Sequence, residues 1–186
     1  PYFRSNELLA AYLDTRERHW EKLITDRPVV LGYVEQLPFK DDSFDFVIAS
    51  HVLEHSKNPE KFLSELQRVA KAGYIEVPDA FFERLATYLD HRLEITDVNE
   101  ELIIRKKRGY IQDLEVYEMV HNKLFPVFGK IVSRYPFHFN VRYYWSRENG
   151  GIKYSILNPD YEFDWDPPVT DKKVVPLTLK AKVKAQ

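Results

Sequence analysis

Cysteine does not occur in the 186-residue chain. Its absence removes disulfides, thiolate nucleophiles and Cys-ligated zinc together. Glycine is scarce, with six residues, and none stands in the G-x-G-x-x-G spacing that cradles a dinucleotide phosphate. Neither sign of charge dominates: 27 Lys+Arg against 29 Asp+Glu leave a net charge of −2, so no nucleic-acid partner is expected. No apolar run approaches the ~20 residues of a membrane span, and no signal-peptide pattern opens the chain. The expectation is a cytoplasmic protein with no membrane span. No Met precedes PYFRSN, so either processing or an unseen upstream segment is expected there.

What is present belongs to a folded unit. Hydrophobic residues make up 44% and aromatics 15% of the chain, enough for one domain with a substantial core. We expect that domain over residues 1–157, with a loosely held, proline- and charge-bearing extension over 158–186.

The pattern along the chain alternates strands and helices. ELLAAYL (7–13) is too short for periodicity to decide, and TRERHWEK, which contains Trp20, is charged. PVVLGYV (28–34) predicts a buried strand, EQLPFKDDSF a loop, and FDFVIAS (44–50) a nearly continuous apolar strand of the kind covered on both faces. Asn58 and Pro59 announce a helix whose Phe62, Leu63, Leu66, Val69 and Ala70 form one stripe, with Lys71 in its last turn and Gly73 just past its end. YIEVP (74–78) predicts a strand, and Asp79 to Leu89 a helix. LEITDVNEELIIRKK predicts two strands around a polar turn, and QDLEVYEMVHNKLFPVFGKIVSRY a helix interrupted at Pro126. FNVRYYWS and GIKYSIL, separated by RENGG, predict an antiparallel hairpin. Tyr143, Tyr144 and Trp145 would alternate between core and surface on it. The strand–helix order predicts an α/β fold: a doubly wound, mostly parallel sheet with a C-terminal antiparallel hairpin.

SHVLEH (50–55) holds the densest chemistry. His51, Glu54 and His55 stand in H-x-x-E-H spacing, the signature of one class of zinc hydrolase. Two such histidines share a face only on a helix, whereas here a strand ends near Ser50 and the next helix starts at Asn58. No third ligand is evident, so no metal is expected, and a His-ligated metal hydrolase remains a minor alternative. In open α/β sheets ligands bind beyond the carboxyl ends of the strands, and GYVEQLPF, ASHVLEH and EVPDAF all lie at such ends. Blander readings stand beside these: Glu54 as a cap, Asp41-Asp42-Ser43 as a turn, His51 and His55 as structural histidines, and Arg105-Lys106-Lys107-Arg108 as a solvated face.

The stretch GYVEQLPFKDDSFDFVIASHVLEHSKNPEKFLSELQRVAKAGYIEVP resembles the class I S-adenosylmethionine-dependent methyltransferases of the small-molecule type. The match is good over roughly residues 28–90. The resemblance implies a Rossmann-like fold whose N-terminal strand and glycine loop are missing from this chain. It also implies S-adenosylmethionine as cofactor and a small-molecule substrate. A partner chain or homo-oligomer would then complete the sheet. By the same resemblance Glu35, Gln36 and Leu37, on to Phe39, border the cofactor's adenine side, and Tyr33 packs near the cofactor. Ser50 and His51 border its methionine side, His51 is the candidate base, and His55 lies on the substrate side. Tyr2 and Phe3 would pack near the cofactor. Tyr33 stands where the family usually carries an acidic residue, and Asp14 is the carboxylate nearest the expected ribose-binding position. A non-catalytic methyltransferase-like scaffold or partner subunit is the alternative.

Overall fold

A computed structural model describes residues 28–88, 90–109 and 113–162. The readings at Tyr2, Phe3, ELLAAYL, Asp14 and Trp20 lie outside the described residues.

Among the described residues two three-stranded sheets form the framework, in the orders β1-β2-β5 and β3-β4-β6. β1 (Phe44–Ser50) runs parallel to β2 (Ala70–Pro78), and β5 (Asn140–Ser146) adds antiparallel to the other side of β2. In the second sheet β3 (Leu93–Val98) and β4 (Glu101–Lys106) are antiparallel, and β6 (Tyr154–Ile156) pairs parallel with β4. Among the described residues a bridge, Asp79 to Ile95, links the sheets. Both are mixed, not mostly parallel.

The helix after β1 forms as its punctuation dictates. Asn58 accepts the Lys61 N–H at 2.9 Å, Pro59 takes the first turn, and α1 spans Pro59–Val69. Its stripe of Phe62, Leu63, Leu66 and Val69 is buried, each side chain contributing about 1.5–3 kcal/mol. α1 then passes into β2 without a loop, the Ala70 N–H closing the last helical turn onto the Leu66 carbonyl. Lys71 and Gly73 therefore lie within the strand, not at a helix end. Gly73 is needed there, because a Cβ would sit 2.7 Å from Trp145 Nε1 and 2.8 Å from Val47 Cγ1.

One core joins the layers. Ala49, Ile75, Val77, Val141, Tyr143 and Trp145 on one face of the first sheet pack with α1 and with Leu93, Ile95, Leu102 and Ile104 of the second sheet. Tyr143 and Trp145 point inward and Tyr144 outward, as the alternation predicts.

Three expectations need correction. Residues 28–32 form no strand; Tyr33 makes only a bridge to Gln36, and Val29, Val30 and Leu31 are exposed. A β-branched run needs a neighbour to pair with, and none stands beside it among the described residues. Among the described residues β1 is covered on one face only: Phe46 and Ile48 look out with Tyr144. The 140–156 hairpin does not form. Gly150 and Gly151 (φ 88° and 78°) turn the chain, but the Ile152 N–H goes to Gln67 Oε1 at 2.8 Å and the Lys153 N–H to the Tyr143 hydroxyl at 2.9 Å. These bonds lead β6 to the other sheet.

The remaining elements are short. Asp79 caps α2 (Ala80–Leu85) by accepting the Phe81 N–H at 2.8 Å. α3 (Leu114–Met119) continues through a π turn (Val120–Leu124) into α4 (Phe125–Arg134), so the helix is not interrupted at Pro126, which lies in the first turn of α4. Asn158 binds both backbone groups of Lys106 at 2.9 Å and ties the chain after β6 to the end of β4.

Candidate functional site

The carboxyl ends of β1 and β2 lie side by side, with Ser50 opposite Glu76. The His51 N–H donates to the Glu76 carbonyl at 2.8 Å, carrying the ladder one residue past the strand. His51 then turns into the left-handed region, φ 54°. That conformation is costly for a non-glycine residue and recurs at functional positions. Its imidazole lies between two carboxylates, Nδ1 3.3 Å from Glu54 Oε1 and Nε2 3.4 Å from Glu76 Oε1. The Glu54 contact, followed by Glu76, raises the His51 pKa above its ordinary value against the opposing effect of burial. Glu76 also accepts from the Tyr74 hydroxyl and from Asn140 Nδ2. Burial first, then that hydrogen bond, pushes the Tyr74 phenol up to about 12.

A strapped loop stands beside this tip. The Gln36 N–H closes a turn onto the Tyr33 carbonyl at 3.0 Å, and Glu35 Oε1 accepts the Ser56 hydroxyl at 2.8 Å. Leu37 donates its N–H to Glu65 at 2.7 Å. Arg68 donates to the carbonyls of Leu37 and Phe39 at 3.0 and 2.8 Å and to Asp41 at 2.8 Å, while pairing through two bonds with Glu65. Two residues of α1 thus fix the loop that carries Tyr33, Glu35, Gln36 and Leu37. Tyr33 and Gln36 are exposed, whereas Leu37 and Phe39 pack against the core.

The sequence-predicted residues divide into groups. Ser50 and His51 meet at one tip, and Glu35 docks on Ser56, just past His55. His55 itself turns away from His51: its Nδ1 lies 3.1 Å from the Asp90 carbonyl, and its ring stands edge-on to His91 at 4.6 Å. Burial is the main cause of its lowered pKa. His91 Nδ1 in turn contacts Glu83 Oε2 at 2.7 Å, and Lys107 Nζ reaches Glu83 Oε1 at 2.9 Å. Lys107 is fully buried, which corrects the solvated-face reading of the RKKR run at that residue, while Arg105 and Arg108 are exposed.

Sequence reasoning missed Glu76, Glu83 and His91. Glu76 could have been found, since it occupies the same strand end as Ser50. His91 carries no local signal, being brought to His55 by tertiary structure alone. Among the described residues, Glu54, His55 and His91 place one ligand atom each within 4.8 Å of one another. The donor set at the β1–β2 tip is a hydroxyl, an imidazole and a carboxylate. Such a set can pair with an ammonium and a carboxylate group.

Part of the chain is similar to known proteins. Residues 7–75 match the family described as a methyltransferase domain. An uncharacterized protein of Methanocaldococcus jannaschii is 47% identical over 45 residues, 24% of this chain and 22% of that protein. Ajmaline N-methyltransferase of Rauvolfia serpentina is 40% identical over 43 residues, 23% of this chain and 15% of that enzyme. The chain thus matches less than a quarter of either relative's length. No solved structure matches.

Proposed function

From the premise that residues 7–75 belong with the class I S-adenosylmethionine-dependent methyltransferases, we propose that the protein carries a methyl-transfer site for a small molecule at the β1–β2 tip. The observation that carries this is the meeting of Ser50, His51 and Glu76 at adjacent carboxyl strand ends, where open α/β sheets place their ligands. A doubly wound arrangement, with a strand from a partner chain or a second copy along the outer edge of β1, completes the reading. In support, that edge pairs with nothing among the described residues.

The donor set fits S-adenosylmethionine, which supplies an electrophilic methyl group when bound. Ser50 and His51 would hold its amino-acid end, and Tyr33, Glu35, Gln36 and Leu37 would border its adenine. Transfer from a sulfonium asks the protein chiefly for alignment, which accounts for much of the barrier reduction. His51 receives the acceptor's proton, and Glu54 and Glu76, 3.3 and 3.4 Å from its ring nitrogens, stabilise the imidazolium that forms.

Calorimetric titration of S-adenosylhomocysteine tests this, using the 186-residue chain and the same chain with any residues its gene encodes ahead of Pro1. Saturable one-to-one binding is expected. With a panel of amine and hydroxyl acceptors, His51→Ala should lower methyl transfer by about 100-fold or more while retaining product affinity. Binding by neither chain would overturn the proposal in favour of a non-catalytic scaffold. That alternative is favoured by Tyr33, which stands where an acidic residue is usual.

A further inference from the structure

Glu54 is an unusual residue in this fold. It is 1% exposed, yet neither carboxylate oxygen makes a hydrogen bond; His51 Nδ1 lies 3.3 Å from its Oε1. A buried carboxylate without compensating bonds is strongly disfavoured unless a cation accompanies it. The side chains around it are arranged as a ligand set. The Asp90 carbonyl can only accept, so His55 Nδ1 carries the proton of that bond and leaves Nε2 as the donor atom. The Glu83 carboxylate does the same for His91. A carboxylate or carbonyl behind a histidine is the arrangement that orients imidazole toward a metal. Lys107 balances the charge of Glu83, so that carboxylate can serve as a support without needing a second cation.

We propose that Glu54, His55 and His91 bind a divalent first-row transition-metal ion, of the kind zinc represents, as a structural site joining the two sheets. Two imidazoles and one carboxylate, with no thiolate, suit such an ion. Glu54 and His55 come from the 3-10 turn that follows β1, and His91 from the segment leading into β3. Their backbones are already tied, with the Arg92 N–H donating to the Glu54 carbonyl at 2.7 Å. The three ligand atoms lie within 4.8 Å of one another. An ion at ~2.1 Å from each would draw them together by about an ångström, within the reach of side-chain rotation. His51 is not part of the set, so the site differs from the H-x-x-E-H reading of the sequence.

The test uses the full chain after chelator treatment and dialysis. Zinc titrated calorimetrically should bind one-to-one with micromolar or tighter affinity and raise the melting temperature. Cobalt should give visible absorption bands at the same stoichiometry. His91→Ala and Glu54→Gln should abolish both signals with the far-ultraviolet circular dichroism retained. Glu83→Gln, which removes only the support behind His91, should weaken zinc about 10–100-fold, and His51→Ala should leave the stoichiometry unchanged. Absence of one-to-one binding by the wild-type chain overturns the proposal, and so does binding that survives His91→Ala. Loss on His51→Ala would overturn it in favour of the sequence-spaced site. None of these outcomes depends on S-adenosylhomocysteine binding.

Discussion

His51 holds a backbone conformation that most side chains resist, and this gives the tip of β1 a measurable signature. Glycine adopts φ 54° freely, whereas a β-branched residue does not. His51→Gly should therefore leave chemical-denaturation stability near wild type, while His51→Val should lower it by about 1–3 kcal/mol. Equal effects would show that the imidazole's contacts, not the backbone, set the stability. Gly73 is the opposite case, limited by space and not by angle. Gly73→Ala should cost about 1–3 kcal/mol by pushing on Trp145 and Val47, read as a fall in melting temperature. At this scale Ser50 and His51 could be read from the sequence, because a strand end and its first polar residues are local features. Gly73 was misassigned because a helix-ending glycine and a close-packing glycine look alike until the facing Trp145 is known.

At the scale of elements, α1 and the loop it straps form one unit through Arg68 and Glu65. Arg68→Met should leave the helix intact and increase amide exchange across residues 33–42, measured by mass spectrometry; unchanged exchange would show that the strap is idle. Glu65 faces Arg68, the Leu37 N–H and Lys61, and its hydrogen bond with Arg68 first of all holds its pKa below the ordinary glutamate range. A group with a lowered folded pKa binds protons more readily when unfolded. Its contribution to stability is thus complete above the ordinary range and is lost as pH falls through the lowered value. Glu65→Gln should flatten that part of the acid unfolding profile. The Asn58–Pro59 cap, the α1 stripe and the β3–β4 hairpin were all legible, since each is written within a few adjacent residues. The partner of β6 was not: Gln67 and the Tyr143 hydroxyl redirect the chain, and neither lies in the RENGG turn that suggested a hairpin.

Across the whole molecule, the two sheets share one core, yet the first sheet presents an open face of Phe46, Ile48, Tyr74 and Tyr144 among the described residues. An apolar face next to a strand edge invites association. Replacing Phe46 and Ile48 with threonine should reduce concentration-dependent self-association in sedimentation and lower dye binding by apolar surface; unchanged behaviour would mean that this face is covered in solution. The apolar pattern of FDFVIAS predicted cover on both sides, and the uncovered side is where sequence and described structure part. Among the described residues no helix is long and apolar enough to cross a membrane.

The direct passage from α1 into β2 has one more consequence. With no slack between Val69 and Ala70, the rotational setting of the helix dictates which residues of the central strand look inward. β2 therefore has something like a reading frame. One inserted residue at that junction would send Ile75 and Val77 to solvent and Tyr74 and Glu76 into the interior, so tolerated changes in chain length must fall elsewhere in the molecule.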